Sequence, residues 1–423
     1  MTAASPKTGV VSFAEARHIV EQHAATVFPR DAEAVDLFSA FGRVLADEIV
    51  ADRDFPPFPR ATRDGFAVRA RDVAEVPSSL KLIGEIKAGD SPTSAVNVQQ
   101  GQTIFIMTGA ALPSGADAVV MVEYTARSGS AVEIKRSVKS GENYVPCGAE
   151  ARAGQVLLEP GTRVDHAAIA LAASVGKSTL QIFRRPRISV VATGDEVVAI
   201  DKIPGPSQIR NSNSYSLAAQ IQNAGGEPVV LPIAPDERGR LRALIEEGFD
   251  SNLLLLSGGV SMGKYDLVEQ VLSELGAEFY FTGAQIQPGR PIVFGSCKRQ
   301  TRAGAPAPHL PGRYFFGLPG NPVSTMVTFE LFVRPMIQAL SGGKPQSLIF
   351  LKARLKSDVR TKTGLKRFLP AVLSGEFENA EVELARWQGS GDIAALAGAN
   401  CYLVIPPNRE QISAGEWVSV MMR

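Results

Sequence analysis

The sequence predicts a multidomain protein of α/β and β architecture, in which a central, doubly wound, mostly parallel α/β domain is flanked by smaller domains. Between Arg187 and Met336, apolar strand patterns alternate with amphipathic helical patterns at the spacing of βαβ units. Outside this region, short alternating runs are separated by glycine, proline and serine, which is typical of small β domains. We therefore expect four domains: an N-terminal mixed domain made of segments 1–55 and 146–185, an inserted small β domain at 56–145, the α/β domain at 186–342, and a C-terminal β domain at 343–423.

Composition argues against several classes of function. The chain has 423 residues, 45% of them hydrophobic, and a formal net charge of +1. This balance offers no basic face for a nucleic acid, so any bound anion is expected to be small. The three cysteines and four histidines are too scattered for a disulfide framework or a zinc cluster. No apolar run approaches the ~18 residues of a membrane helix, and the first residues lack a signal-peptide pattern, so we expect a cytoplasmic protein with no membrane partner.

The N-terminal domain is expected to open with an amphipathic helix. Ser12 and Glu15 form a capping box in front of a helical apolar pattern. His18 and His23 are expected on the exposed face of this helix. Residues 34–50 predict a short strand, a short helix and a second strand. A later alanine-rich helix needs a packing partner that the intervening β segment does not offer, which predicts that the chain returns to the first domain.

Two places in the inserted β segment carry residues that could contact a ligand. Asp64 and Gly65 follow a proline-rich loop, and this pair alone is typical of a hairpin turn. Thr108 follows a predicted strand and precedes Gly109, so that a hydroxyl and a free N–H could meet a ligand there. An ordinary turn is the alternative for this second pair.

Three predicted strands of the α/β domain end in polar or glycine-rich residues. The first ends in Thr193-Gly194-Asp195-Glu196, the second in Asp236 and the third in Ser257-Gly258-Gly259. Ligand chemistry in parallel sheets collects at the carboxyl ends of strands. A glycine pair can turn its N–H groups toward an anion, and a helix beginning near Tyr265 would add its positive end, so we predict a phosphate or oxyanion site. An ordinary strand-to-helix turn is the alternative for the glycine pair.

Two further motifs extend this edge of the sheet. One is Gln287-Pro288-Gly289-Arg290-Pro291, and the other is Pro319-Gly320-Asn321-Pro322, which a helix from Val323 follows. Five such strand ends on one edge predict a single binding cleft. Residues 299–313, between the last two strands, are expected to form a solvated hairpin loop. In the C-terminal domain, the glycine-rich stretch 387–400 is a candidate to face the same cleft.

Seven of these motifs are characteristic in combination: ATRDGFAV, MTGA, TGDE, SGGVSMGKYD, QPGRP, GLPGNPVS and QGSGDIAALAGAN. In order and spacing they resemble the molybdopterin molybdenumtransferases, the molybdenum insertases to which the C-terminal domain of gephyrin is related. The resemblance covers nearly the whole chain, and it implies insertion of molybdate into adenylylated molybdopterin with Mg²⁺ and release of AMP. It also implies an elongated homodimer with four domains per subunit. The implied partners are a molybdopterin adenylyltransferase and molybdoenzyme apoproteins.

The resemblance also implies roles for individual residues. Catalytic roles fall on Asp64, Glu196, Asp236 and Asp266, of which Asp236 and Asp266 would hold Mg²⁺. Substrate binding falls on the strand ends, at Thr108, Thr193, Gly194, Asp195, Ser257, Gly258, Gly259, Ser261, Pro319, Gly320, Asn321 and Pro322. Molybdate would be held by Gln287, Arg290, Pro291, Ser324 and Ser390.

Four positions depart from the family pattern. Gln287 stands where a lysine is common, and Lys264 stands where an acid often follows the SGGVS glycine. Pro370 stands where an arginine usually closes a GRxEFxR-like stretch, and Glu150 replaces an aspartate. These changes concern the molybdate subsite more than the fold or the pterin site.

The change at Gln287 raises the question of charge, because molybdate is a dianion that needs compensating cations. Arg290 keeps one cation, and Lys366 or Arg367 could bring a second from the C-terminal domain. The alternative is that both are solvated hairpin residues. On the first interpretation, Gln287→Lys should lower the molybdate concentration needed for half-maximal AMP release.

Sequence alone leaves two further functions open. The chain could be a paralogue that binds molybdopterin without inserting metal and acts as a carrier or assembly partner. It could also insert tungstate instead of molybdate. AMP release on mixing with adenylylated molybdopterin and molybdate would separate an enzyme from a carrier.

Overall fold

The structure is a computed structural model that describes residues 9–29, 31–90, 97–259, 267–297, 313–344 and 347–423. Its architecture confirms the predicted fold class, with a central α/β domain beside an inserted β sheet, a mixed N-terminal unit and a C-terminal β domain. None of the helices in these ranges is long and apolar enough to cross a membrane. The four domain boundaries remain predictions.

The first segment contains the elements β1 (Val10–Val11), α1 (Phe13–Ala24), β2 (Ala32–Asp36), α2 (Leu37–Ala40) and β3 (Ile49–Val50). Ser12 caps α1 as predicted, because its hydroxyl accepts a hydrogen bond from the N–H of Glu15 at 3.2 Å. His18 is exposed, but the prediction for His23 is wrong. The His23 ring is half-buried and stacks on Tyr280, with 3.9 Å between ring centroids. The helix packs on the α/β domain through this side.

The inserted domain is one six-stranded sheet with the order β8-β5-β7-β6-β10-β9. The elements of this segment are β4 (Arg60–Ala61), β5 (Gly65–Val68), β6 (Ser78–Ile86), β7 (Gln102–Ile106), β8 (Ala118–Met121), β9 (Thr125–Ser128), β10 (Ala131–Ile134) and β11 (Tyr144–Val145). The small strands β4 and β11 pair with each other where the chain enters and leaves the domain. The insertion is therefore closed off at its base.

The chain then returns to the first unit with the elements β12 (Val156–Leu158), α3 (His166–Ser174) and β13 (Thr179–Phe183). Strand β12 pairs with β3, and β13 pairs with β2, both antiparallel. Side chains of α2 and α3 share one apolar cluster with these strands. The alanine-rich helix thus finds the partner that the inserted domain could not supply.

In its described residues, the α/β segment contains a six-stranded sheet, four smaller strands and five helices. Its elements are β14 (Arg187–Ala192), β15 (Val197–Val198), β16 (Ile209–Arg210), α4 (Asn213–Asn223), β17 (Glu227–Val230), α5 (Arg238–Gly248), β18 (Leu253–Ser257), α6 (Leu267–Glu274), β19 (Ala277–Phe281), β20 (Gly283–Ala284), β21 (Ile286–Gln287), β22 (Val293–Cys297), β23 (Arg313–Leu318), α7 (Pro322–Thr328) and α8 (Arg334–Leu340), the last two joined by a π-helical turn at Phe329–Val333. The main sheet has the order β17-β14-β18-β23-β22-β19. Its first four strands pair in parallel, whereas β22 is antiparallel to both of its neighbours, β23 and β19.

Strand β18 lies inside this sheet, which accounts for its four consecutive leucines. All four are at most 1% exposed, as expected for a strand that is covered on both faces. The main apolar cluster of the molecule extends beyond the α/β segment. It includes Ala16 and Val20 of α1, and also Phe368 and Tyr402 of the C-terminal domain.

The C-terminal domain contains the elements β24 (Phe350–Leu355), β25 (Val359–Arg360), β26 (Lys366–Ser374), β27 (Glu381–Leu384), α9 (Ile393–Ala397), β28 (Cys401–Ile405), β29 (Gln411–Ile412) and β30 (Trp417–Met422). Strands β26, β27, β24, β30 and β28 pair in that order, and β28 pairs again with β26. The five strands therefore form a closed ring. Strand β21 of the α/β segment joins this sheet by pairing in parallel with β26.

Candidate functional site

The sheet topology creates a crevice between the carboxyl ends of β14 and β18. These strands are neighbours, but the chain leaves β14 toward β17 on one side and reaches β18 on the other. Such a switch in direction is where open α/β sheets bind ligands. The ends are also bonded to each other, because the N–H of Thr193 donates to the carbonyl of Ser257 at 3.0 Å and that of Gly258 donates to the carbonyl of Leu318 at 3.1 Å.

The glycine pair after β18 is required by the close approach of these strand ends. Gly258 and Gly259 have φ of 94° and 65°, which disfavours other residues. A Cβ at Gly258 would lie 2.8 Å from the carbonyl oxygen of Thr193, and one at Gly259 would lie 2.8 Å from its hydroxyl. The pair is therefore more than an ordinary strand-to-helix turn, since it brings two strand ends together at the crevice.

A cavity of about 1250 Å³ opens over the crevice and reaches the C-terminal domain. Fourteen of the predicted site residues line it: Thr193, Glu196, Ser257, Gly258, Gly259, Gln287, Arg290, Pro291, Pro319, Gly320, Asn321, Pro322, Ser324 and Ser390. Its volume exceeds the roughly 300–1,000 Å³ of a typical pocket for one small ligand. Two substrates bound together would fit such a space.

Two of the sequence motifs reach this edge differently from the prediction. The motif at 287–291 does not follow a strand of the main sheet but precedes β22, which runs antiparallel to β23. Its residues still arrive at the same edge, because the start of an antiparallel strand lies beside the end of its neighbour. Asp236 comes six residues after the end of β17 and does not line the cavity.

The acidic residues near the first two strand ends contact each other through the backbone. The N–H of Asp236 donates to Asp195 Oδ1 at 3.0 Å. Gly194 and Asp195 do not line the cavity either. Ser261, Lys264 and Asp266 lie outside the residues that the structure describes, as does the predicted hairpin loop at 299–313 apart from Arg313 at its end. In the described ranges, no three His, Cys, Asp or Glu side chains gather as a metal cluster.

Asp64 and Thr108 are brought together on the inserted sheet. Asp64 Oδ1 accepts hydrogen bonds from the N–H of Thr108 at 2.6 Å and from its hydroxyl at 2.8 Å. These bonds lower the pKa of the Asp64 carboxyl, the backbone bond being the larger cause. The hairpin-turn alternative for Asp64 and Gly65 is wrong, because β4 and β5 pair with other strands. Asp64 and Thr108 are exposed and do not line the cavity of their own chain.

Sequence reasoning missed Asn213, the first residue of α4. Its side-chain amide donates to the hydroxyl of Ser257 at 2.9 Å and to the carbonyl of Gly320 at 2.8 Å, so it links two strand ends. Its amide oxygen and the hydroxyl of Thr193 are buried without a hydrogen-bond partner in the described part of the chain. Buried polar atoms of this kind are rare unless a ligand completes them. The signal was a run of polar residues, RNSN, directly before a helix.

The cavity is more positive than the chain as a whole. Among the described residues, four cations line it, Arg210, Arg290, Lys362 and Arg367, against one carboxylate, that of Glu196. A concave surface with this balance attracts anions. The expectation of a small anionic ligand therefore fits the lining.

The residues predicted to bind molybdate, Gln287, Arg290, Pro291, Ser324 and Ser390, line one end of the cavity, which we call the oxyanion corner. This corner lies where the α/β segment meets the C-terminal domain. Gln287 of β21 lies opposite Arg367 of β26 in the parallel register. Arg367 Nε donates to Gln287 Oε1 at 2.8 Å, and Nη1 donates to the carbonyl of Leu365 at 3.1 Å. Arg367 is only 5% exposed, so the alternative of a solvated hairpin residue is wrong for it.

Lys366 is turned to a different environment from its neighbour. Its ammonium group lies 4.5 Å from the ring centroid of Phe13, and the residue does not line the cavity. Of the two cations proposed from the sequence, the cavity therefore receives Arg367. Pro370, further along the same strand, is buried.

The glycine-rich stretch of the C-terminal domain does face the cavity. Trp387, Gly389, Gly391 and Ile393 line it together with Ser390. The carbonyl of Ser390 accepts a hydrogen bond at 3.0 Å from the N–H of Val323, in the first turn of α7. This bond fixes the loop over the strand ends, close to the buried Ser324.

Comparison with known families agrees with the order of these parts. Residues 11–176 match the MoeA N-terminal region (domain I and II), and residues 189–339 match a probable molybdopterin binding domain. Residues 352–422 match the MoeA C-terminal region (domain IV). The three matches together span the inserted sheet, the crevice and the loop that covers it.

Individual relatives match over nearly their whole length. A molybdopterin molybdenumtransferase of Nostoc sp. is 37% identical over 402 residues, which cover 93% of this chain and 89% of the relative. Molybdopterin molybdenumtransferase 1 of Mycobacterium tuberculosis is 33% identical and covers 96% of this chain and 98% of the relative. The crystal structure of the molybdopterin biosynthesis MoeA protein from Pyrococcus horikoshii has a TM-score of 0.70 at 32% identity, covering 98% of this chain and 99% of that one. By this identity, fold and coverage, the chain belongs to the molybdopterin molybdenumtransferase family.

Proposed function

We propose that this protein is a transferase of molybdenum cofactor biosynthesis, which inserts molybdate into adenylylated molybdopterin and releases AMP. The observation that carries the proposal is the large, positively lined cavity at the sheet switch point, closed on one side by the C-terminal domain. The names of the relatives specify molybdopterin and molybdenum. A site for these two anionic partners needs both size and positive charge.

The lining offers separate groups for the separate parts of the substrates. The glycine pair at 258–259 and the cations Arg210 and Lys362 suit phosphate oxygens. The unpaired oxygen of Asn213 and the hydroxyl of Thr193 suit the polar edge of a pterin ring. Arg290, together with the hydroxyls of the oxyanion corner, suits molybdate. Fixed donors of this kind lower the barrier by positioning the two substrates and stabilising charge that develops during the transfer.

Magnesium is the cofactor that the proposal adds. Mg²⁺ prefers one or two carboxylates together with phosphate oxygens, and the Asp195 carboxylate lies beside the backbone of Asp236 at the strand ends. Asp236 and Asp266 are the residues that the resemblance assigns to the ion, and their carboxylates are donors of the kind that Mg²⁺ prefers. When bound, Mg²⁺ would neutralise charge on the phosphoanhydride oxygens of the adenylylated pterin. Glu196, which lines the cavity, would serve as the acid or base at the reacting groups.

A direct test mixes the purified protein with adenylylated molybdopterin, Mg²⁺ and molybdate, and measures AMP by chromatography. The loaded cofactor is then measured by activation of a molybdoenzyme apoprotein. AMP release that depends on molybdate supports the proposal, and a parallel series with tungstate identifies the preferred oxyanion. Tight pterin binding without AMP release would instead support the carrier function.

The proposal extends to assembly and location. We infer a homodimer with the four domains described above in each subunit, a cytoplasmic location, and contacts with a molybdopterin adenylyltransferase and with molybdoenzyme apoproteins. The exposed Asp64 and Thr108 pair, assigned to the reaction by resemblance, does not line the cavity of its own chain. Sedimentation equilibrium at micromolar protein would test the dimer, and a monomer at that concentration would contradict it.

A further inference from the structure

We propose that Arg367 of the C-terminal domain supplies the second cation of the molybdate subsite in this chain, and that Gln287 positions it. This inference rests on the function proposed above. Molybdate carries two negative charges, and transfer of an uncompensated charge into a partly desolvated cavity is costly. Arg290 provides one positive charge at this corner, while Gln287 provides none.

The register of two strands brings Arg367 to the corner. Because β21 pairs in parallel with β26, Gln287 stands directly opposite Arg367 across the domain boundary. The guanidinium is held at two atoms, by the Gln287 side chain and by the carbonyl of Leu365. At 5% exposure it is a fixed buried cation rather than a mobile surface group. A cation held in place before binding loses little conformational freedom when the anion arrives.

Among the described residues, Arg367 and Gln287 both keep N–H donors that are free to bind an oxyanion. A guanidinium has five N–H donors, and two of them are used by Gln287 and Leu365. The Gln287 amide uses its oxygen to accept from Arg367, so its two N–H donors are not consumed by this contact. Both residues line the cavity together with Ser324 and Ser390. The corner therefore presents charge and hydrogen-bond donors on one side.

Gln287 and Arg367 are a matched pair rather than two independent changes. A lysine at 287 has no acceptor atom, so it could not hold the guanidinium, and it would place a second positive charge beside it. Within the GRxEFxR-like stretch, Arg367 stands at the position where the pattern has an acid. The family pattern thus has a lysine at 287 and an arginine at 370, whereas this chain has neither and carries a cation at 367. Gln287→Lys alone should therefore weaken molybdate binding, opposite to the effect that the sequence suggests.

Four variants test whether Arg367 takes the place of a lysine at 287: Arg367→Gln, Gln287→Lys, the double variant that combines them, and Lys366→Gln as the neighbouring control. The molybdate concentration for half-maximal AMP release is measured for each, and molybdate binding to the intact protein is measured by equilibrium dialysis with metal analysis. Loss of a charged hydrogen-bond donor should raise the half-maximal concentration about tenfold or more in Arg367→Gln. Gln287→Lys should also raise it, whereas the double variant should recover most of the loss because it returns one cation to the corner. Lys366→Gln should leave the concentration unchanged.

Stability is measured alongside, because Arg367 also joins two domains. An equal thermal destabilisation of Arg367→Gln and Lys366→Gln, with no change in molybdate dependence for either, would overturn the proposal and leave Arg367 a purely structural residue. If Arg367→Gln does not fold, Arg367→Met replaces it, because methionine also removes the charge and keeps an unbranched side chain. An unchanged molybdate dependence in that variant would likewise overturn the proposal.

The outcome for this inference is separable from that for the proposed function. If the wild-type protein releases no AMP, the function proposed above fails, and dialysis alone decides the role of Arg367. Molybdate binding that Arg367→Gln reduces and Lys366→Gln does not would still support the inference. Equal binding in the wild-type protein and Arg367→Gln, including no binding in either, would overturn it.

Discussion

Asn213 and Ser257 are joined by a hydrogen bond of 2.9 Å from a side-chain amide to a hydroxyl, which fixes the start of helix α4 to the end of strand β18. The same amide nitrogen donates to the carbonyl of Gly320, and a carbonyl can only accept. The orientation of the amide is therefore set, and its oxygen is the atom left for a ligand.

This arrangement predicts that Asn213 contributes to pterin affinity. Asn213→Ala should weaken molybdopterin binding by about tenfold or more, because it removes the ligand acceptor and frees two strand ends. Isothermal titration with molybdopterin measures the change. Asn223→Ala, at the exposed other end of α4, is the matched control and should bind normally. Equal affinity in the two variants would contradict the assignment.

The close approach at the glycine pair predicts a stability difference between two glycines with similar backbones. Gly276→Ala meets only the cost of a left-handed backbone, about 1–2 kcal/mol, because no atom lies within 4 Å of its added Cβ. Gly258→Ala meets that cost and also a 2.8 Å contact with the Thr193 carbonyl oxygen. Urea unfolding should therefore show a larger loss for Gly258→Ala. A loss no larger than that of Gly276→Ala would mean that the strand ends can separate freely.

The carboxylates beside the crevice predict that one substitution there changes the Mg²⁺ dependence of AMP release. Asp236→Asn should raise the Mg²⁺ concentration needed for half-maximal AMP release, while the bond from its backbone N–H to Asp195 remains. Asp201→Asn removes an exposed acid that pairs with the adjacent Lys202 and serves as the control. Melting temperatures of both variants should stay near that of the wild-type protein. Wild-type magnesium dependence in Asp236→Asn would remove this residue from the proposed metal site. Asp266→Asn tests the second proposed ligand in the same assay.

The half-buried histidine of α1, His23, predicts a pH-dependent loss of stability. Burial lowers the pKa of His23 below its usual value of 6.5, although Glu278 acts in the opposite direction. Below about pH 6.5 the unfolded chain takes up a proton that the folded protein resists, so stability falls as the pH drops toward the lowered pKa. Thermal unfolding of the wild-type protein between pH 7.5 and 5 should show this loss.

Two variants isolate the contribution of His23 from that of other titrating groups. His23→Phe keeps a ring against Tyr280 but cannot titrate, so its stability should change less over the same pH range. His18→Asn removes an exposed histidine and should behave like the wild-type protein. An identical pH response in all three proteins would exclude His23 as the cause.

The ends of β14, β18 and β23 are predictable from the sequence because each is a local pattern, an apolar run followed by polar residues or glycine. The glycine-rich loop at 387–400 is predictable in the same way, since its composition exceeds what a hairpin needs. The residues that form each of these features are adjacent in the sequence, so the sequence alone reveals them. They therefore carry the fold class and most of the cavity lining.

The contacts that escaped prediction all join residues far apart in sequence. Arg367 and Gln287 are separated by 80 residues, and His23 and Tyr314 by 291. Nothing in the local pattern of α1 shows that a second domain covers the side carrying His23. Similarly, the resemblance indicates a missing cation at 287, but only the pairing of β21 with β26 shows which residue replaces it.

Residues 186–342 do not enclose their own interior, although they read as a self-contained module in the sequence. Ala16 and Val20 fill one part of that interior from the start of the chain, and Phe368 and Tyr402 fill another from the end. A fragment of residues 186–342 would expose apolar side chains that these residues cover, and it would lose the strand that pairs with β21. Expression of the central module alone is therefore a route to aggregation, and biochemical dissection of this protein has to proceed by point substitution in the intact polypeptide.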